Sequence, residues 1–154
     1  MTKPFIVGNW KMNTTLEEAI SLASAAQQAA DSVGDRVEVG VCPPFPWIVT
    51  VRDTLHARTL RIGAQDIAAT ENGAFTGDVS AKMLAPFADF ALIGHSERRT
   101  SHGETDETIR DKVARAIEAR LGVMLCVGES KDERDRGDAV SVVNRQLDIA
   151  LGGL

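Results

Sequence analysis

The sequence predicts an α/β fold in which parallel strands alternate with helices. Short apolar segments recur along the chain, and each is followed by a stretch with helical composition or spacing. Two of these segments, residues 90–94 and 123–127, are apolar without alternation, which is typical of parallel strands buried on both faces. Repeated strand–helix units imply right-handed crossovers. The pattern leaves open whether the sheet is open and doubly wound or part of a closed barrel.

Five strands and five helices are predicted in alternation. The strands cover residues 5–9, 37–42, 60–65, 90–94 and 123–127, and the helices cover residues 15–31, 47–55, 80–84, 104–120 and 138–151. The first helix is rich in Ala, Leu, Glu and Gln, which favour helices. A capping box is available at its start, formed by Thr14 with Glu17 or by Thr15 with Glu18, and Gly34 is its stop signal.

Breaks between the elements are marked by proline and glycine. Pro43 and Pro44 directly follow the second strand and cannot continue it. Residues 66–78, which include Gly73 and Gly77, are predicted to form a long loop. The charged run at residues 131–138 is predicted to be a solvated loop that enters the last helix.

The fourth helix has the clearest helical periodicity. Its apolar residues form one stripe made of Ile109, Val113, Ala116 and Ile117.

Composition indicates one globular domain over residues 1–154. The chain has 44% hydrophobic and 25% charged residues. A formal net charge of −5 argues against non-specific nucleic-acid binding, and 5% aromatic residues without tyrosine argue against a base-stacking surface. No apolar run is long enough to cross a membrane, and the N-terminus lacks the apolar core of a signal peptide.

The cysteines and histidines predict neither disulfides nor a structural zinc site. Cys42 and Cys126 form no CxxC motif, which fits a reducing cytoplasm. The chain has three histidines and no cluster of Cys and His. We therefore expect a cytoplasmic protein without a metal.

Polar residues of types that can take part in catalysis or binding lie at or just after the ends of the predicted strands. Asn9 and Lys11 follow the first strand, His95 and Glu97 follow the fourth, and Cys126 lies in the fifth. The carboxyl ends of parallel strands share one rim, so these residues are expected to converge on one site.

Each of these residues also has a purely structural interpretation. Lys11 can be a solvated lysine, and Asn9 can be a turn residue that bonds to local backbone. His95 can be a structural histidine, and Glu97 can be a surface charge that suits a helix dipole. Cys126 can be a small core residue. The chain has no glycine-rich dinucleotide motif, P-loop or HExxH motif.

Seven short motifs follow one another along the chain in this order: GNWKMN, CPPF, GAQD, GAFTGDVS, IGHSERR, GETDE and LCVGE. Together they resemble the N-terminal part of the triosephosphate isomerase family. The resemblance implies a TIM (β/α) barrel, here the first five of eight units. It also implies interconversion of dihydroxyacetone phosphate and glyceraldehyde 3-phosphate by proton transfer through an enediolate, without metal or organic cofactor. The family is glycolytic and gluconeogenic, and its members form homodimers.

The resemblance also implies roles for single residues. Asn9 and Lys11 match substrate-binding residues, and Lys11 would place positive charge near the phosphate and the enediolate. His95 matches the catalytic electrophile that polarises the carbonyl. In this family that histidine is known to stay neutral because it faces a helix N-terminus, and Ser96 can begin such a helix here.

Three further residues have counterparts around the family's site. Glu97 matches a carboxylate that pairs with Lys11 or orients the site. Cys126 matches a barrel cysteine with a packing role. Thr76, in the loop at residues 73–78, matches a residue that reaches into the partner subunit near its catalytic site.

The resemblance also implies what lies outside these 154 residues. The family's chain has about 250 residues, and three of its eight units have no counterpart here. Its glutamate base follows the sixth strand, and its lid and phosphate cradle also belong to the missing units. Smaller departures are Asp78 in place of the usual Glu and His102 in place of a common aromatic residue.

Two interpretations follow. The chain is an isomerase whose last three units are missing, so that the 154 residues alone are inactive. Alternatively, it is a non-catalytic product that persists by self-association or with a partner chain.

Overall fold

A computed structural model describes residues 3–153, and it confirms the predicted alternation of strands and helices. The strands are β1 Phe5–Asn9, β2 Glu38–Cys42, β3 Leu60–Ala64, β4 Phe90–Ile93 and β5 Gly122–Leu125. The helices are α1 Leu16–Val33, α2 Ile48–Thr54, α3 Ala81–Leu84, α4 Ser96–His102, α5 Asp106–Glu118, α6 Lys131–Asp135 and α7 Ala139–Leu151. Short 3₁₀ segments cover Gly34–Arg36 and Phe45–Trp47.

The described residues form two compact units. The first contains residues 3–65 and 84–91, and the second contains residues 66–83 and 92–153. In the first unit β1, β2, β3 and the first half of β4 are neighbours in chain order, and their pairs are parallel. In the second unit the last half of β4 neighbours β5, and the Ile93 carbonyl accepts the Cys126 N–H at 2.8 Å. Parallel strands in chain order are the arrangement expected for consecutive units of a (β/α) barrel.

Three local features stabilise the first unit: a helix cap, an apolar cluster and a closely packed glycine. Thr15 and Glu18, not Thr14 and Glu17, form the capping box of α1. Ala30 of α1 packs in one core cluster with Val41 and Leu60. Gly63 in β3 has no room for a side chain, because a Cβ there would lie 2.5 Å from the Cys42 Sγ.

In the second unit α5 and α6 differ from the prediction, whereas α4 begins at Ser96, where the sequence allows a helix to begin. The predicted helix 104–120 is α5, which begins after a Thr105 cap and buries Ile109, Val113 and Ala116. Ile117 of the predicted stripe is instead 48% exposed. A separate helix, α4, precedes it and is ended by Gly103, whose φ of 68° is left-handed.

Helix α6 lies inside the run predicted to be a loop. Ser130 accepts the Glu133 N–H, and the Glu133 carboxylate accepts the Ser130 N–H, so a capping box stabilises this single charged turn. The predicted strand 123–127 is β5, which ends at Leu125 and excludes Cys126 and Val127. None of the helices in residues 3–153 is long and apolar enough to cross a membrane.

Candidate active site

The loop after β1 is strained and held by side-chain hydrogen bonds. Lys11 has a φ of 54°, in the left-handed region that residues with a Cβ rarely adopt. The Asn9 Oδ1 accepts the Lys11 N–H at 2.9 Å, and the Gln65 Nε2 donates to the Lys11 carbonyl and to the Cys42 carbonyl, each at 2.8 Å. Left-handed backbone at a residue with a Cβ costs about 1–3 kcal/mol, and the contacts with Asn9 and Gln65 hold Lys11 in it.

His95 is the residue that caps helix α4. Its Nδ1 accepts the Glu97 N–H at 3.3 Å, while the Glu97 carboxylate is 3.7 Å from the same nitrogen. The backbone contact is within hydrogen-bonding distance and the carboxylate contact is not. Because Nδ1 is an acceptor in this arrangement, the proton of the neutral ring is on Nε2, which is then a hydrogen-bond donor.

A small cavity adjoins His95 within the second unit. Its volume is about 170 Å³, and its two walls come from the segment after β4 and the segment after β5. The lining residues are Gly94, His95, Ser96, Arg99, Cys126, Val127, Gly128 and Glu129. The structure therefore brings His95 and Cys126 to one cavity.

Arg99 ties both walls of this cavity together. Its guanidinium donates to the Gly94 carbonyl at 2.8 Å and to the Cys126 carbonyl at 3.3 Å. It also pairs with the Asp106 carboxylate at 2.6 Å. Gly94 has a φ of 77°, and a Cβ there would lie 3.1 Å from the Cys126 carbonyl oxygen, so only glycine fits this turn.

The Cys126 thiol is partly buried beside the cavity. Burial raises its pKa, and the nearby Arg99 charge opposes that rise only in part. A thiol that stays protonated is a poor nucleophile. This agrees with a packing role, which for Cys126 stays a prediction.

A buried ion cluster lies behind the start of α4 in the second unit. The Lys112 ammonium contacts the Asp66 and Glu104 carboxylates, each at 2.6 Å. The Arg98 guanidinium pairs with the same carboxylates at 3.0 and 2.8 Å. Two cations thus neutralise two buried carboxylates, which would otherwise be costly to desolvate.

Burial and pairing act in opposite directions on these carboxylates. Burial raises the pKa of Asp66 above its ordinary value, although Lys112 and Arg98 oppose the rise. Burial also acts to raise the pKa of Glu104, but hydrogen bonds from Lys112 and Arg98 outweigh it and leave that pKa below its ordinary value.

This cluster was not predicted from the sequence. The available signal was Lys112, which lies on the buried face of α5 with Ile109, Val113 and Ala116. A lysine in that position needs carboxylate partners.

Thr76 lies in an exposed loop of the second unit, as predicted. The neighbouring Phe75 is 51% exposed, and its carbonyl accepts the Asp78 N–H at 3.0 Å. Gly77 has a φ of 95°, which keeps this turn tight. A contact of Thr76 with a second subunit stays a prediction. Within residues 3–153, no group of three or more His, Cys, Asp or Glu side chains could hold a metal ion.

Comparison with known proteins gives one family. The family described as triosephosphate isomerase matches residues 4–154. The triosephosphate isomerase of Alkaliphilus metalliredigens is 41% identical over 155 residues, which is 100% of this chain and 62% of the relative. That of Bordetella pertussis is 45% identical over 150 residues, 96% of this chain and 60% of the relative. That of Afipia carboxidovorans is 45% identical over 147 residues, 95% of this chain and 58% of the relative. The chain spans about 60% of the length of these relatives.

Proposed function

Because the chain belongs to the triosephosphate isomerase family, we propose that it supplies part of the machinery that interconverts dihydroxyacetone phosphate and glyceraldehyde 3-phosphate. The observation that carries the proposal is the arrangement of His95. Its Nδ1 is occupied by the Glu97 N–H, which leaves Nε2 as a donor. A neutral donor of this kind can polarise a substrate carbonyl and stabilise the enediolate that forms when a proton leaves carbon.

Lys11 and Asn9 are proposed to bind the substrate. Lys11 lies on a strained turn directly after β1, and its ammonium would supply positive charge there to a phosphate or to a developing oxyanion. Asn9 maintains that turn through its bond to the Lys11 N–H. Glu97 is proposed to orient the site through its backbone bond to His95.

We also propose the type of reaction chemistry, the partner and the cellular location that go with this function. Proton transfer next to a carbonyl requires an acid and a base, and we expect no metal or organic cofactor. We propose a homodimer that uses the Thr76 loop, and a glycolytic and gluconeogenic role in the cytoplasm. Cys42 and Cys126 form no disulfide with each other in residues 3–153, which is compatible with a reducing compartment.

The test uses a longer polypeptide, called here the extended polypeptide. It consists of this chain followed by the C-terminal part of the Bordetella pertussis relative that the match leaves uncovered. In it we expect Lys11→Ala to raise KM about tenfold and to lower kcat about 10²-fold, since one charged contact is lost from substrate and transition state. The measurement is a coupled isomerase assay.

Lys3→Ala is the matched control. Lys3 is also a lysine of the first unit, but it pairs with the exposed Asp35 at 2.9 Å and precedes β1. We expect it to leave both kinetic constants unchanged. Equal kinetics for Lys11→Ala and Lys3→Ala would refute the proposed role of Lys11.

A second candidate is a non-catalytic product that persists by self-association or with a partner chain. The observation in its favour is an open apolar groove of about 580 Å³ in the second unit. It is lined by Val113, Ile117, Arg120, Leu121, Gly122, Val123, Leu125, Leu147 and Leu151. Strand β5 borders the groove, and among the described residues no strand lies on its side away from β4. Such edges and apolar patches promote association.

We expect the isolated chain to be oligomeric or poorly soluble, mainly through this edge. Light scattering over a concentration series measures the association. A charge in β5, Met124→Lys, should reduce it, and a charge in the exposed loop, Thr76→Lys, should have the smaller effect. A stable monomer at high concentration would contradict the expectation. Loss of association only in Thr76→Lys would instead support the family's dimer contact.

A further inference from the structure

Gln146 of α7 pairs with the backbone of a single residue after β5. Its Oε1 accepts the Gly128 N–H at 2.8 Å, and its Nε2 donates to the Gly128 carbonyl at 3.1 Å. The side-chain amide therefore satisfies both polar backbone groups of Gly128, as a neighbouring strand would. This is the part of the chain where β5 has already ended, at Leu125.

Gln146 occupies a core position that would ordinarily be apolar. It is 5% exposed and lies on the buried face of α7 between Val142 and Ala150. Burying an amide among apolar neighbours is unfavourable unless the amide is hydrogen-bonded. An apolar side chain would fill the same space without that cost, so the contact with Gly128 accounts for the glutamine.

The segment that Gln146 holds forms one wall of the His95 cavity. Residues 126–129 line it together with His95. Arg99 fixes the start of this wall through the Cys126 carbonyl at 3.3 Å, and Gln146 fixes its middle through Gly128. The wall is thus held at two points by side chains from two different helices.

We propose that Gln146 is a positioning residue that fixes the wall formed by residues 126–129 opposite His95. Without the Gln146 side-chain amide, the N–H and the carbonyl of Gly128 lose their hydrogen-bond partners. Residues 126–129 then become more mobile, so the shape of the cavity beside His95 is no longer fixed. The effect on the wall stands on the hydrogen bonds alone. The effect on turnover rests on the proposed function, because it requires that His95 acts on a substrate in that cavity.

The test compares Gln146→Met with Asn144→Met in the 154-residue chain. Both substitutions replace an amide on α7 with methionine, but Asn144 is exposed. Two local readouts are used at micromolar protein: hydrogen exchange of the Gly128 amide, and alkylation of each cysteine followed by mass spectrometry as a function of pH. Cys126 reports on the wall, and the fully buried Cys42 reports on general unfolding.

For Gln146→Met we expect Gly128 exchange about tenfold faster and Cys126 alkylation several-fold faster, with Cys42 unchanged. We also expect the pH profile of Cys126 alkylation to shift to lower pH, because the raised pKa of its thiol depends on burial. Asn144→Met should match the wild type. Unchanged Gly128 and Cys126 in Gln146→Met, or equal acceleration at both cysteines, would overturn the proposal.

If Gln146→Met does not fold, Gln146→Glu is the second variant to measure. At a pH at which its carboxyl group is ionised, it retains an acceptor for the Gly128 N–H but has no donor for the Gly128 carbonyl, so we expect Gly128 exchange between that of the wild type and that of the methionine variant. If the Gly128 amide of a folded Gln146→Glu variant exchanged as fast as expected for the methionine variant, the proposal would be contradicted. In the extended polypeptide we expect Gln146→Met to lower kcat about tenfold with little change in KM. An inactive wild-type extended polypeptide would refute the proposed function, while the exchange and alkylation results would still decide the role of Gln146.

Discussion

We expect His95→Gln to lower the kcat of the extended polypeptide by about two to four orders of magnitude, which is the usual contribution of a positioned acid–base group. The glutamine Oε1 can still accept the Glu97 N–H, so the start of α4 should keep its structure. What is lost is the imidazole Nε2–H, which we propose polarises the carbonyl and moves protons between the two oxygens. The measurements are kcat, KM and the thermal midpoint of each variant.

His102→Gln is the matched control for this substitution. His102 is the last residue of the same helix and is exposed. It should leave kcat within about threefold of the wild type, as expected for a surface substitution away from the chemistry. If His95→Gln had the same small effect as His102→Gln while its thermal midpoint was unchanged, His95 would not be the electrophile.

The sequence predicts the regular elements well where apolar runs meet clear breaks. Strands β1, β3 and β4 begin at the predicted residues. Helix α6 was missed because a single charged turn has no periodicity, and its stability comes from the Ser130–Glu133 capping box. Strand β5 ends at Leu125, two residues before its apolar run does, and the backbone of Gly128 beyond it is paired by Gln146.

The polar network around the site could not be predicted from spacing. Asp66 is 46 residues from Lys112, and apart from the position of Lys112 on the buried face of α5 nothing in the sequence indicates that Asp66, Glu104 and Lys112 contact one another. Arg99 and Gln146 also act on backbone carbonyls and N–H groups, which carry no sequence signal. By contrast, His95 and Lys11 could be proposed as site residues from the sequence, because the motifs that contain them resemble motifs of the family.

The second large effect concerns the 154-residue chain by itself, for which we expect no measurable isomerase activity. The reaction removes a proton from carbon, and the resemblance places the family's glutamate base after the sixth strand. Loss of the base alone costs a factor of about 10²–10⁴. Loss of the lid and the phosphate cradle costs more, because binding energy from the phosphate drives orientation at the reacting carbon.

A side-by-side isomerase assay of the 154-residue chain and the extended polypeptide tests most directly whether this chain supplies only part of the catalytic machinery. Both should be purified from a host without its own triosephosphate isomerase, and the folded state of each should be verified. We predict turnover by the extended polypeptide and a rate no higher than buffer for the chain alone. Robust turnover by the chain alone, or none by a folded extended polypeptide, would contradict the account.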